Sequence, residues 1–152
     1  MAGYSGTPLP QKLGIKAGQR VALLAAPAGF AKTLGALPEG VKTSPELAGR
    51  GTFDVIVWFV TSRAVLGKGF VRTARRLDPS GGLWVAWPKK ASGVATDMTE
   101  DAVREVALPA GLVDNKVCAI DDTWSGLRCV VRVENRPKPS RATAIKPKAP
   151  SK

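Results

Sequence analysis

The sequence predicts one three-layer α/β domain, built on a mostly parallel sheet of five or six strands with an antiparallel hairpin at its C-terminal end. The chain has 152 residues, of which 44% are hydrophobic, and this suits a single core. Short apolar runs alternate with segments of helical spacing, the pattern of a parallel sheet covered by helices. The last two apolar runs flank a short polar turn, which favours an antiparallel pair.

The first half of the chain supplies three predicted strands and one helix. Arg20 to Ala26 is an unbroken apolar run suited to burial on both faces of a sheet. A helix is expected over Gly29 to Leu37, because Pro38 cannot continue it. A short strand near Val41 to Thr43 follows. Phe53 to Val60, FDVIVWFV, is rich in β-branched and aromatic residues and is expected at the centre of the sheet.

The second half continues the alternation. Apolar side chains recur at helical spacing from Arg63 to Leu77, opposite a row of cations. Asp78 to Gly82 predicts a turn, and Leu83 to Trp87, LWVAW, predicts a buried strand parallel to FDVIVWFV. Thr99 is a suitable N-cap for a helix that ends near Pro109.

Two strands, Lys116 to Ile120 and Leu127 to Val133, are expected to form the hairpin. If their inner ends lie opposite each other, Cys118 faces Cys129 on the same side of the sheet. That arrangement permits a disulfide or a redox pair. Buried free thiols that fill the core are the alternative.

The positive charge is concentrated near the C-terminus. The net charge is +11, and Arg136 to Lys152 contains six basic residues and no acidic ones. We predict a flexible N-terminal arm over residues 1–12, a Rossmann-like domain over 13–135 and a basic disordered tail over 136–152. The tail either solubilises the protein or binds nucleic acid weakly by counterion release. No apolar run approaches the roughly 20 residues of a membrane span, so a cytoplasmic location without membrane contact is expected.

A candidate anion site lies where ligands of open α/β sheets bind, beyond the carboxyl ends of the strands. The loop after LWVAW offers ammonium groups, hydroxyls and a glycine whose backbone an anion can approach. The candidate ligand-binding residues are Gly29, Thr61, Ser62, Arg63, Lys89, Lys90, Ser92, Gly93 and Thr96. Solvated lysines beside helix-capping residues are the alternative interpretation, because surface loops have the same composition.

The sequence gives little support for a catalytic site or a metal site. Histidine is absent, which removes Ser-His-Asp and Cys-His mechanisms and the commonest zinc ligand. The adjacent carboxylates Asp121 and Asp122 suit acid/base work or a metal, but neighbours on a tight turn usually point apart, and a structural turn explains them as well. We predict no catalytic residue, no metal and no cofactor, and a small anionic molecule as partner; the oligomeric state is open.

Two segments resemble class I methyltransferases. Leu13 to Leu24, LGIKAGQRVALL, is similar to their entry into the first strand, and Leu77 to Trp87, LDPSGGLWVAW, to their fifth strand. The resemblance implies a methyltransferase-like, Rossmann-like fold. The cofactor site departs from that pattern, because Gly29 is the single glycine in the turn after the first strand, and the nearest acid after the predicted second strand at Val41 to Thr43 is Glu46, beyond Pro45. About 26 residues separate the first strand from FDVIVWFV, too few for two βα units, so the fold is reduced there.

A closer resemblance extends from about Leu13 to Val131. The sequence is identified as a member of a bacterial family of short proteins that carry a domain of unknown function. The blocks that support this are LGIKAGQRV, Ala26-Pro27 with Gly29, WPKKASGVATDMTED at Trp87 to Asp101, and AIDDTWSGLR at Ala119 to Arg128. Membership implies a fold and two signature loops, but no reaction. Three functions stay open: a non-catalytic module that binds an anion, a divergent S-adenosylmethionine-dependent transferase, and a nucleic-acid-associated protein acting through its tail.

Overall fold

The computed structural model describes residues 7–132, which form four helices, one 3-10 turn and six strands. The helices are α1 (Leu9–Lys12), α2 (Phe30–Leu34), α3 (Arg63–Ala74) and α4 (Glu100–Ala107). The strands are β1 (Arg20–Leu24), β2 (Lys42–Ser44), β3 (Phe53–Phe59), β4 (Leu77–Pro88), β5 (Leu112–Ala119) and β6 (Trp124–Val131). The 3-10 turn covers Lys90–Ser92.

All six strands belong to one sheet with the order β2-β1-β3-β4-β6-β5. The first four run parallel, whereas β6 is antiparallel to its neighbours β4 and β5. FDVIVWFV and LWVAW lie side by side in the same direction, with Ile56 next to Leu83. The predicted fold class, a mostly parallel sheet with a C-terminal antiparallel hairpin, is therefore confirmed.

Helices cover both faces of the sheet. On one face, Leu66 and Phe70 of α3 and Val103 of α4 pack against the sheet. On the other face, Phe30 and Leu34 of α2 pack against it together with Leu13, Ile15 and partly buried Leu9. A strand in the middle of such a sheet is buried on both sides, which explains why β3 is apolar at nearly every position.

The connection from β1 to β3 is short, as predicted. It contains only α2 and β2 among its regular elements. α2 ends earlier than the predicted helix because Gly35 has a φ of 79°, which is not a helical conformation. β2 ends before Pro45, which has no N–H to continue the hydrogen-bond ladder.

The packed part of the chain begins before residue 13, where the sequence placed the start of the domain. Pro10 is buried, and α1 precedes β1 as a single turn. The rest of the predicted arm, residues 1–6, and the predicted tail over 136–152 lie outside the described residues. Within residues 7–132, no helix combines the length and the apolar character needed to cross a membrane.

Two arginines hold the segment 47–52, which leads from β2 into β3. The guanidinium of Arg76 donates to the carbonyl oxygens of residues 47, 48, 49 and 51 at 2.7–3.2 Å. The guanidinium of Arg20 donates to the carbonyls of Arg50 and Thr52 at 3.0 and 2.8 Å. Both groups also lie over the ring of Phe53, at 4.2 Å for Arg20 and 5.5 Å for Arg76. We call the two arginines with segment 47–52 the arginine clasp.

The predicted turn at Asp78 to Gly82 is a bulge at the start of β4. Phe53 pairs with Leu77 and Val55 with Gly82, so β4 advances five residues while β3 advances two. A Cβ on Gly81 would overlap the backbone carbonyl of Asp54. Gly81 therefore lets the bulge lie close against β3, and the ladder resumes beyond it.

The predicted hairpin register is wrong. Cys118 pairs with Gly126 and Asp114 with Cys129, because β6 begins at Trp124 and the turn is shorter than expected. Cys129 packs in the core beside α3 and α4, whereas Cys118 packs against the core on the α2 face. The two thiols lie on opposite faces and are free, so the disulfide or redox pair is overturned. A second bulge lies between Asp114 and Lys116 on β5.

Candidate functional site

The carboxyl ends of β1, β3 and β4 meet at one edge of the sheet because these strands are parallel. The loops that follow them, residues 25–29, 60–62 and 89–99, therefore share that edge. The turn between β5 and β6 joins them, since Pro88 at the end of β4 pairs with Trp124 at the start of β6. We call these three loops and the hairpin turn the carboxyl edge.

The loop after β1 turns sharply. Ala25 has a φ of 56° and Gly29 a φ of 83°, both in the left-handed region. Phe30, the first residue of α2, packs edge-on against Phe59 with ring centroids 4.8 Å apart, and Phe59 packs in the same way against Trp124 at 5.0 Å. This row of aromatic rings ties the β1 loop to the hairpin.

The loop after β3 is held by the loop after β4. The hydroxyl of Thr96 donates to the carbonyl of Thr61 at 2.6 Å, and the backbone N–H of Arg63 donates to the carboxylate of Asp97 at 2.8 Å. Ser62 caps α3 by accepting from two backbone N–H groups of its first turn. The structure therefore brings the candidates Thr61, Ser62, Arg63 and Thr96 together, and their polar groups bond within these loops and to the first turn of α3.

The guanidinium of Arg63 has a partner that the sequence did not predict. It forms an ion pair with Glu105 of α4 at 2.7 Å. Both side chains are exposed, so the pair contributes little to stability, on the order of 0–1 kcal/mol. An incoming anion would compete with Glu105 for this group.

Lys89 is the most restrained cation of the carboxyl edge. Its backbone N–H donates to the carbonyl of Thr123 at 2.7 Å, and its ammonium donates to the carbonyl of Asp121 at 2.8 Å. The hydroxyl of Ser92 donates to the Lys89 carbonyl at 2.6 Å, and Gly93 closes the 3-10 turn with a φ of 77°. Lys90 is exposed. The hydroxyl of Ser92 is thus engaged within its own loop.

No carboxylate of residues 7–132 neutralises the Lys89 ammonium. The nearest acid in its surroundings, Asp121, directs one carboxylate oxygen to the backbone N–H groups of Thr123 and Trp124, both at 2.8 Å. This confirms the structural-turn interpretation of Asp121. The hydrogen bond that holds the positive charge is therefore the one to the carbonyl of Asp121.

A groove of about 680 Å³ opens beside this turn, between α1, α2 and residues 120–122. Leu9, Leu34 and Ile120 form its apolar part, and Lys12 and Lys32 lie on its wall. The sequence did not identify this groove, because α1 is a single turn without periodicity. The only signal was the exposed position of Lys32 on the predicted helix.

The thiols lack nucleophilic character. Burial raises the pKa of Cys129 to about 12 and also raises that of Cys118, although Lys12 and Lys116 oppose the second shift. Both sulfurs therefore stay protonated near neutral pH, where the thiol is a poor nucleophile.

The fold places the protein in the class of methyltransferase-like α/β domains. A SAM dependent methyltransferase from Aquifex aeolicus is similar, with a TM-score of 0.55, 16% identity and coverage of 80% of this chain and 86% of that one. A putative methyltransferase from Thermoplasma acidophilum has a TM-score of 0.54, 9% identity and coverage of 84% and 75%. The ribosomal protein L11 methylase from Lactobacillus delbrueckii subsp. bulgaricus has a TM-score of 0.54, 12% identity and coverage of 82% and 75%. At these identities the likeness concerns the fold alone.

The chain belongs to the family described as protein of unknown function (DUF3052). The family matches residues 47–133, more than half of the chain. That range contains the blocks at Trp87 to Asp101 and Ala119 to Arg128, which form much of the carboxyl edge, whereas LGIKAGQRV lies before it. None of the curated proteins matches the sequence.

Proposed function

We propose that this domain is a non-catalytic binding module that recognises an anionic group at the carboxyl edge. The observation that carries the proposal is the ammonium of Lys89, which the hairpin turn holds in place and which no described carboxylate neutralises. A fixed, half-buried cation gains more from a counter-ion than a freely solvated one, because less side-chain entropy is lost on binding. Lys90, next in sequence and exposed, adds a second charge.

The residues around this proposed site contribute to its shape, but they offer few hydrogen-bond donors to an anion. The hydroxyls of Ser92 and Thr96 are bonded to carbonyls, and Ser62 caps α3. Gly93 and Gly29 leave open backbone beside the loops, since a Cβ at either position would meet nothing within 4 Å. We therefore expect recognition by charge rather than by a dense set of hydrogen bonds.

Thermal shift with a panel of anions tests the proposal. The panel contains inorganic phosphate, pyrophosphate, a nucleoside monophosphate and a dicarboxylate. A binding anion at one hundred times its Kd stabilises the folded state by about 2.7 kcal/mol, which raises the Tm by several degrees. The double variant Lys89→Ala with Lys90→Ala should lose at least about tenfold in affinity.

The matched control replaces Lys16 and Lys42, two exposed lysines away from this edge, by alanine. It removes the same charge and should bind like the parent. The proposal fails if no anion of the panel stabilises the parent, or if the control loses as much affinity as the double variant.

A divergent S-adenosylmethionine-dependent transferase is the second candidate. Two observations favour it beyond the shared fold: Ala25 takes a left-handed conformation at the end of β1, and Glu46 is an exposed carboxylate just after β2. The residues fit the cofactor only in part, because Gly29 is the only glycine of the β1 loop and the hydroxyl of Ser44 is bonded to the Glu46 carbonyl. Calorimetry with S-adenosylhomocysteine separates the candidates, since the transferase should release heat and the module should not.

A further inference from the structure

A second groove lies on the opposite face of the sheet from α2. It has a volume of about 780 Å³ and runs between the last turns of α3 and the segment after β2. Leu24, Leu47 and Trp58 form its apolar part. Arg72 and Arg75, both exposed, stand at its rim.

The groove exists because the connection from β1 to β3 is reduced. Its only helix, α2, packs on the other face, so within residues 7–132 no helix covers the face that carries α3 and α4 where it passes over β1. Gly69 of α3 allows the helix to approach closely, since a Cβ there would lie 3.0 Å from the ring of Trp58. Trp58 therefore lies beneath α3 and lines the groove.

The charge around the groove is predominantly positive. α3 contains no acidic residue, Lys68 and Arg72 are exposed on it, and exposed Arg75 follows directly as its C-cap. Within residues 7–132, no hydrogen bond or ion pair engages these three side chains. Glu46 is the single acid that lines the groove.

The apolar surface continues across α3 into a smaller groove of about 470 Å³. Val71, which is 50% exposed, and Arg75 line both grooves. Beyond this ridge, Pro109, Leu112 and Val131 line the smaller groove. A surface with two apolar depressions on either side of a basic ridge suits an extended chain with two apolar anchors better than a compact metabolite.

We propose that this surface, α3 with its two flanking grooves, binds an acidic polypeptide segment of a partner protein that carries two apolar anchor residues. The unpaired arginines supply the complementary charge, and Val71 separates the two anchor positions. The chain's own segment from Arg136 to Lys152 has the same sign as the rim, with six basic and no acidic residues, and so is repelled. A second copy, with a net charge of +11, is disfavoured for the same reason.

Fluorescence anisotropy with labelled synthetic peptides tests this proposal on the full chain. The panel has glutamate-rich peptides of about 12 residues with two leucines at spacings of two, four or six, which place both leucines on one side of an extended chain. Matched peptides replace either both leucines by serine or all glutamates by glutamine. At least one acidic peptide with leucines should bind, and both replacements should weaken it.

The variant Arg72→Glu with Arg75→Glu should weaken binding by at least about tenfold. Its control, Lys16→Glu with Lys42→Glu, changes the net charge equally at exposed sites elsewhere and should bind like the parent. Val71→Ser removes apolar area at an exposed position and should weaken binding about fivefold. Circular dichroism establishes that each variant is folded, and Arg72→Gln with Arg75→Gln replaces the first variant if charge reversal unfolds it.

Three results would overturn the proposal. The first is that no peptide of the panel binds the parent. The second is an equal loss in the arginine variant and its charge-matched control. The third is that single-stranded RNA of the same charge binds in competition with the peptides and is unaffected by Val71→Ser, which would assign the surface to nucleic acid instead. The anion test at Lys89 is independent of all three.

Discussion

Ala25, in the first loop of the carboxyl edge, has an uncommon backbone conformation. It is the only non-glycine residue among those described with a positive φ, and it lies directly after β1. The left-handed conformation costs an L-residue roughly 1 kcal/mol that glycine avoids. Conformation alone favours glycine at this position, so the alanine there is a site of backbone strain.

We expect Ala25→Gly to raise the free energy of unfolding, by up to about 1 kcal/mol, since relief of strain outweighs the added freedom of the unfolded chain. Urea denaturation followed by tryptophan fluorescence measures it. Ala64→Gly, at an exposed position in the first turn of α3, is the control and should lower stability by about 0.5–1 kcal/mol. A loss of stability in Ala25→Gly would mean that residue 25 does not adopt the left-handed conformation.

Cys129 predicts a dependence of stability on alkaline pH. Its pKa is about 12 in the folded state against 9.0 ordinarily, because burial disfavours the thiolate. Above pH 9 the unfolded thiol loses its proton while the folded one keeps it, so stability falls between pH 9 and about 12, by up to about 1.4 kcal/mol per pH unit. Cys129→Ala should flatten the decline, whereas Cys118→Ala should leave most of it. Equal slopes in both variants would contradict the assignment.

At the scale of elements, the arginine clasp replaces regular structure between β2 and β3. Arg76 engages four carbonyls that no strand or helix satisfies, and its planar fork suits such a set better than a lysine does. The clasp therefore orders segment 47–52 without an intervening strand.

Arg76→Ala should lower stability by about 2–3 kcal/mol and release segment 47–52, because several charged hydrogen bonds are lost together. Limited trypsin digestion measures the second effect, since Arg50 lies within the segment and becomes a faster cleavage site. Arg75→Ala, at the adjacent exposed arginine, should change neither quantity by much. Equal protection of Arg50 in both variants would show that Arg76 does not hold the segment.

The elements that the sequence predicted well are those marked by an unbroken apolar run or by a clear helix-capping residue. FDVIVWFV and LWVAW are apolar on both faces, which only a central strand explains, and Thr99 begins α4 as expected. The hairpin register failed because the apolar runs tolerate several alignments. What fixes it is the carboxylate of Asp121, which binds two backbone N–H groups and shortens the turn.

The candidate site shows the same limit. The sequence placed Lys89, Ser92 and Thr96 at the carboxyl edge, where the structure has their loop, because β3 and β4 are parallel. The hydrogen-bond partners of their polar atoms depend on the contacts between two loops. Those contacts could not be predicted from the sequence. Only the structure shows that the two hydroxyls are engaged and that the Lys89 charge is not neutralised.

Across the whole molecule, acidic and basic side chains are concentrated in different regions. The acids of α4 and β5, Glu100, Asp101 and Asp114, surround Arg104, while α3 has no acid of its own. The segment from Arg136 to Lys152 adds six positive charges outside the described residues. The basic surface of α3 and the basic segment 136–152 should therefore differ in their affinity for polyanions.

Deletion of residues 136–152 should abolish or strongly weaken binding of single-stranded RNA, because a basic segment binds polyanions by counterion release. Fluorescence anisotropy at two salt concentrations measures both the affinity and its salt dependence. Small anions that bind through Lys89 should be unaffected by the deletion. If the shortened chain binds RNA as well as the parent does, the tail is not the polyanion site, and a role through the tail is excluded.

The bulge in β5 has a consequence for self-assembly. β5 forms one border of the sheet over eight residues, and a border of that length can template pairing with other chains. The irregularity between Asp114 and Lys116 breaks the row of free amides, and the ammonium of Lys116 reaches across to the carbonyl of Lys12 at 3.2 Å. We expect that removing Asn115 straightens this border and promotes fibril growth, which thioflavin T fluorescence would detect.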